Sequence, residues 1–150
     1  MKFSEKKGGP AVRVVIVNPN DEIRALLRMK FSRDSRFRIT GEFSNTRIAI
    51  QNIETTRPDA VVVDLSENLS GGLDLITLIK LGNPSCKVLV ISGFPGDGLG
   101  PAAVRRGADA FIPSGSRLSD IAEKLAAISK QKAAGPTAVS GARRLQAALA

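Results

Sequence analysis

Short, β-branched apolar runs, each followed by a segment with apolar residues at helical spacing, restrict this chain more than any other feature. "VRVVIV" (Val12–Val17) is nearly all β-branched and "DAVVVDL" (Asp59–Leu65) carries an unbroken Ala-Val-Val-Val run, the composition of strands buried on both faces. "CKVLVIS" (Cys86–Ser92) follows the same rule, and "FRITGEF" (Phe37–Phe43) and "DAFIP" (Asp109–Pro113) are weaker members of the set. Between them, Ile23, Leu26, Leu27 and Phe31, then Ala49, Ile50 and Ile53, then Leu73, Ile76 and Ile79 mark helices. A short helix "AAVRRGA" and a last one carrying Ile121, Leu125 and Ile128 complete the alternation. Asn18 or Asn20 is placed to cap the first helix, with Asp21 and Glu22 as stabilising acids in its first turn. Five such units predict an α/β fold, a doubly wound five-stranded parallel sheet with helices on both faces.

The pattern spans residues 12–128. Residues 1–11 read as a flexible leader, and residues 129–150 as a basic, Gly/Pro-interrupted tail in which Leu145, Ala148 and Leu149 could form a short helix. With 43% apolar residues and a mean hydropathy of +0.01, the chain can bury a real core. Its longest apolar runs are too short to span a bilayer, and the N-terminus lacks the apolar region of a signal peptide. Cys86 is the sole cysteine and reads as a small buried hydrophobe rather than a disulfide or metal ligand. The reducing cytoplasm is the expected location.

The absence of histidine excludes Ser-His and Cys-His nucleophile pairs, His-ligated zinc and an imidazole base. Carboxylate, hydroxyl, backbone and Lys/Arg chemistry remain. The net charge of +8 is concentrated in the ends, because residues 11–128 carry 15 cations against 13 anions. Arg24, Arg28, Lys30, Arg33, Arg36 and Arg38 form one basic stretch, read as a solvated face in preference to a nucleic-acid footprint. Six Phe with no Trp or Tyr further weaken any base-stacking role.

In an open parallel sheet, ligands bind beyond the carboxyl ends of the strands. That rule nominates Asn18 and Pro19, Asp64, Ser92 and Gly93, and Pro113 and Ser114. Asp64 stands out, because a carboxylate ending an Ala-Val-Val-Val run meets apolar surroundings that penalise an unused charge. It is either a working group or an Asp that receives backbone N–H bonds from the next turn. "GDGLGP" (Gly96–Pro101) only superficially suggests a dinucleotide loop, since Pro101 stands at the third glycine and the segment follows the fourth strand. It reads as a mobile connection.

Five ordered segments, "VRVVIVNPNDEIRALL", "FRITGEFSNTRIAI", "RPDAVVVDLSENLSGGLDLI", "KVLVIS" and "RRGADAFIPSGS", together resemble a response regulator receiver domain, most of all the NarL/FixJ-type subclass. The resemblance implies the flavodoxin-like strand order 2-1-3-4-5 and a role in two-component signalling. It implies that Asp64 is the phosphoacceptor, with the family's glycine eight residues on as Gly72. Ser92 matches the hydroxyl that contacts the phosphoryl group, and Phe111 the switch aromatic, for which an ordinary core Phe is the preferred alternative. Asn18 and Pro19 stand where the family has two Mg²⁺-holding acids, and Ser114 where it has a lysine. Asp64 and Asp21 are left as weak metal candidates. Mg²⁺ is expected only if the site functions, and no other cofactor is expected.

The expectation is therefore a degenerate receiver, not an enzyme, acting by protein–protein interaction without Mg²⁺-dependent phosphorylation. Its partner would be a histidine kinase or an output protein, with self-association possible through the fourth helix, fifth strand and fifth helix. A working phospho-receiver and a basic nucleic-acid-associated regulator are the alternatives. The residues beyond 128 are too few for a helix-turn-helix domain, so direct nucleic-acid readout is not expected, nor is membrane association.

Overall fold

The computed structural model describes residues 9–66, 69–93 and 96–131. Five strands, β1 (Val12–Val17), β2 (Phe37–Phe43), β3 (Ala60–Asp64), β4 (Lys87–Ser92) and β5 (Ala110–Pro113), form one sheet. It is wholly parallel and ordered β2-β1-β3-β4-β5, as expected. Five helices alternate with them: α1 (Asp21–Ser32), α2 (Thr46–Thr56), α3 (Leu69–Gly82), α4 (Leu99–Arg105) and α5 (Leu118–Lys130).

Side chains alternate across each strand, so the sheet divides the core in two. Val14 and Ile16 of β1, Val62 of β3 and Leu89 and Ile91 of β4 pack with Leu27 and Phe31 of α1 and Leu125 of α5. Val15, Val17, Val61, Val63, Val88 and Val90 pack on the opposite face with Ile53 of α2 and Ile76 and Ile79 of α3. Because both faces of β1, β3 and β4 are covered, these strands read as unbroken apolar runs.

Local chemistry sets the helix ends. The Asn20 side chain accepts the Ile23 N–H at the start of α1, and Asn45 accepts those of Arg47 and Ile48 at the start of α2. Arg57 closes α2 in the left-handed region, with φ of 48°, directly before Pro58. Two helices start earlier than their sequence suggests. Ser70, Gly71 and Gly72, ahead of the first apolar marker Leu73, lie inside α3, and a methyl group on Gly72 would stand 2.2 Å from buried Leu65. The "LGP" of the expected connection opens α4 instead. Pro101 is tolerated there because first-turn N–H groups have no partner within the helix. At the C-terminus α5 runs on to Lys130, two residues into the expected tail. The leader through residue 8 and the tail from residue 132, with its possible helix at Leu145–Leu149, lie outside the described residues.

Half of the basic stretch is tied into ion pairs. Arg24 pairs with Asp21 and Glu42, Arg28 with Glu42, and Arg36 with both Asp34 and Glu123 of α5. The Arg36 guanidinium holds the Asp34 and Glu123 carboxyls below their ordinary values, chiefly through direct hydrogen bonds. A lowered native pKa contributes stability that is complete above the unfolded pKa and is lost as pH falls through the native one. This contribution is expected to be full above about pH 5 and to fade below the usual carboxylate range near 4. Asp34→Asn should lower stability at neutral pH by on the order of 1 kcal/mol and flatten the acid limb of a denaturation series. Parallel acid limbs for variant and parent would contradict the assignment.

Cys86 is buried beneath α3, and burial pushes its thiol up to about 12. It is expected to resist Ellman's reagent at neutral pH until the protein unfolds. Stoichiometric labelling of the native chain within seconds would show that it is accessible.

Candidate functional site

Asp64 ends β3 on the face shared with Ala60 and Val62, the side covered by α1 and α5. Beyond it opens a cleft of about 380 Å³ lined by Asn18, Pro19, Asp64, Ser66 and Ser114, with Ile23, Leu26, Leu118 and Ile121 among its apolar walls. Four of the positions nominated by sequence thus converge at one end of the sheet.

Asn18 organises them. Its side chain is buried, at 1% exposure. Its Oδ1 accepts the Asn20 N–H at 2.8 Å, which leaves Nδ2 to donate to Asp64 Oδ2 at 3.0 Å. Its backbone N–H donates to the Phe43 carbonyl, and its own carbonyl accepts from Arg24 at 2.8 Å. The other Asp64 oxygen, Oδ1, accepts the Ser66 N–H at 2.7 Å. Asp64 is therefore held by the next turn's backbone, the plainer of its two sequence readings, and also faces an open cleft.

Ser114 takes no part in binding Asp64. Its hydroxyl donates to the Ser92 carbonyl at 2.7 Å and lies 3.3 Å from the Ser66 hydroxyl, a neighbour that sequence gave no reason to single out. The Ser114 N–H also reaches the Ser92 and Gly93 carbonyls. Ser92 itself is separated from Asp64 by register. Asp64 pairs with Ile91, so Ser92 falls on the opposite face, where it lines a second cavity of about 360 Å³ with Gly98, Gly100 and Phe111.

Phe111 is not a core residue. It is 42% exposed and lies against Gly100 of α4, where a methyl group would come within 2.3 Å of the ring. The fifth strand borders the sheet, and the alternation that buries Ile112 turns Phe111 outward.

The residues present do not fit a Mg²⁺ ion. Mg²⁺ takes near-octahedral oxygen and is usually held through one or two carboxylates with several waters. Asn18 already spends its amide oxygen on Asn20, Pro19 has no side-chain donor, and among the described residues Asp64 is the sole carboxylate lining the cleft. The Asp21 carboxylate is 84% exposed and bonded to Arg24, away from the cleft. No three Asp, Glu, Cys or His side chains converge anywhere among the described residues.

The chain matches the family model of the response regulator receiver domain over residues 14–126. It belongs to that family, whose members serve as receiver modules in two-component signalling. It is 28% identical to the chemotaxis protein CheY of Thermotoga maritima over 118 residues, covering 79% of this chain and 98% of that protein. It is 27% identical over 112 residues to the response regulator VraR of Staphylococcus aureus, covering 75% of this chain but only 54% of VraR, so it spans about half of that longer relative. The fold superposes on the receiver domain of NarL from Mycobacterium tuberculosis with a TM-score of 0.74 at 20% identity, covering 81% of this chain and 98% of that one. CheY in the CheX–CheY–BeF3–Mg²⁺ complex from Borrelia burgdorferi gives 0.74 at 17% identity, covering 84% and 95%.

A variant tests the fit. Asn18→Asp removes the donor to Asp64 and sets two carboxylates in contact. It is expected to cost about 1–3 kcal/mol in metal-free buffer. Millimolar Mg²⁺ should restore much of that loss in the variant while leaving the parent's melting temperature unchanged. A parent that Mg²⁺ stabilises equally would show that the native cleft already holds the ion.

Proposed function

We propose that this receiver domain acts as a protein-docking module whose state is set without Mg²⁺-dependent phosphorylation of Asp64. One observation carries the reading: the position of Asn18 is occupied by a buried, neutral amide whose hydrogen bonds are spent on Asp64 and Asn20. An incoming phosphoryl group would meet a carboxylate with no cation beside it, because Pro19 offers no ligand and Ser114 is turned to the Ser92 carbonyl. On this reading the module is not an enzyme in its own right and works in the cytoplasm; separately, no helix among the described residues is long and apolar enough to cross a membrane.

Its partner is a histidine kinase or an output protein. The α4-β5-α5 side carries exposed Val104 and Phe111, an apolar surface suited to such a partner or to a second copy of the chain. Nucleic acid is a poorer fit, because Arg24, Arg28 and Arg36 are tied into ion pairs with Asp21, Asp34, Glu42 and Glu123.

The other reading, phosphorylation on Asp64, draws on its place at the end of β3 with an acceptor direction open on each oxygen. Incubation with acetyl phosphate and Mg²⁺ separates the two. The intact mass is expected to stay unchanged. Stoichiometric phosphate labelling that disappears in Asp64→Ala would establish the phospho-receiver instead.

A further inference from the structure

We propose that the cleft beside Asp64 is a seat for an organic cation, a guanidinium, amidinium or primary ammonium group carried on an apolar stem. Asp64 makes no ion pair among the described residues, although it accepts N–H bonds from Asn18 and Ser66. Each of those bonds falls on a different oxygen, so one acceptor direction remains on each. That arrangement suits a forked donor, the geometry by which guanidinium groups recognise carboxylates.

Among the described residues, Arg117 is the only other charged residue on the cleft walls, and it is mostly exposed with its Nε on Asp120 at 3.1 Å rather than paired with Asp64. Ser66, Ser114 and Asn18 are neutral. A carboxylate half-buried among apolar side chains loses hydration that a cation at contact distance would replace, in surroundings that strengthen the attraction above its value in water.

The walls define the stem. Ile23 and Leu26 of α1 face Leu118 and Ile121 of α5 across the cleft, and Ile23 and Leu26 are left 40% and 44% exposed. About 380 Å³ accommodates a six-membered ring or an extended aliphatic chain with its charged head at Asp64. An anion is disfavoured by the same carboxylate, and Mg²⁺ by the single carboxylate donor.

The inference builds on the phosphorylation-independent reading but is decided by a different readout, so the two can fail separately. The full ¹⁵N-labelled chain is titrated with benzamidinium and with its neutral isostere benzamide. A parallel titration uses a blocked Leu-Arg-Leu peptide and its citrulline counterpart. The expected result is saturable shifts at the Asn18 side-chain amide and the Ser66 and Ser114 N–H signals, about tenfold weaker in affinity for the neutral probe of each pair.

Tighter binding of benzamidinium would identify a free small molecule as the source of the cation, and tighter binding of the arginine peptide a side chain of a docked protein. Asp64→Asn removes the charge and keeps one of the two accepting oxygens, so its fold is checked by its amide spectrum, and Ser114→Lys brings a cation to the same cleft within the chain. Each is expected to weaken binding about tenfold. Equal binding of charged and neutral probes, an unchanged affinity in either variant, or no saturable shift at all would overturn the proposal.

Discussion

The end of the sheet is arranged around a neutral side chain at position 18. Through backbone and side chain together, Asn18 bonds to Phe43 at the end of β2, to Arg24 and Asn20 at the start of α1, and to Asp64 at the end of β3. A buried polar group is tolerated when its hydrogen bonds are made, and here both ends of the amide are used. An amide satisfies both demands at once, since the Asn20 N–H takes an acceptor while Asp64 takes a donor. An aspartate would meet the first demand and oppose the second. The same residue that completes the local structure is neutral where the resemblance to receiver domains implies an anionic ligand, so stability and chemistry at this position pull in different directions.

Why the fold survives such a change follows from where the core lies. Both apolar layers are built from the interiors of β1, β3 and β4, whereas Asn18, Pro19 and Ser114 lie just past strand ends. Substitutions there leave the packed layers untouched. The opposite end of the sheet is pinned by different contacts. Asp59 accepts the Arg13 N–H and pairs with its guanidinium, and Asp109 bridges the Lys80 ammonium and the Val88 N–H. The scaffold is thus secured by its centre and one edge, and the cleft edge is free to diverge.

That separation also explains what the sequence discloses. Strands buried on both faces leave Val-rich and Ile-rich runs, so the parallel sheet is legible, its strand order comes from the resemblance to receiver domains, and Asp64 is visible as a charge closing one of those runs. The starts of α3 and α4 are hidden because Ser70-Gly71-Gly72 and Leu99-Gly100-Pro101 carry turn chemistry. Close packing makes them helical all the same: Gly72 admits Leu65, and Gly100 admits the Phe111 ring. Phe111 itself misleads because an aromatic in a short strand reads as core, and only the position of β5 at the sheet border turns it outward. Ser66 carries no pattern at all. Its role depends on a hydroxyl 48 residues away in sequence.

The turn after β5 carries the last step. In place of a long cationic side chain reaching toward Asp64, Ser114 fastens the turn to the end of β4 through both its N–H and its hydroxyl. Ser116 closes the same turn by donating to the Pro113 carbonyl at 2.6 Å, and Gly115 supplies the positive φ of 86° that the reversal requires. Short hydroxyl–carbonyl bonds within the turn do not depend on the charge at Asp64. A receiver relays phosphorylation by coupling that charge to the β4 and β5 ends. Here those ends are joined to each other by neutral bonds, and the remaining link from Asp64 to the turn is a pair of serine hydroxyls. On the proposed reading, a signal would reach this module through what occupies the cleft and through α1 and α5, which line it, rather than through charge added to Asp64 alone.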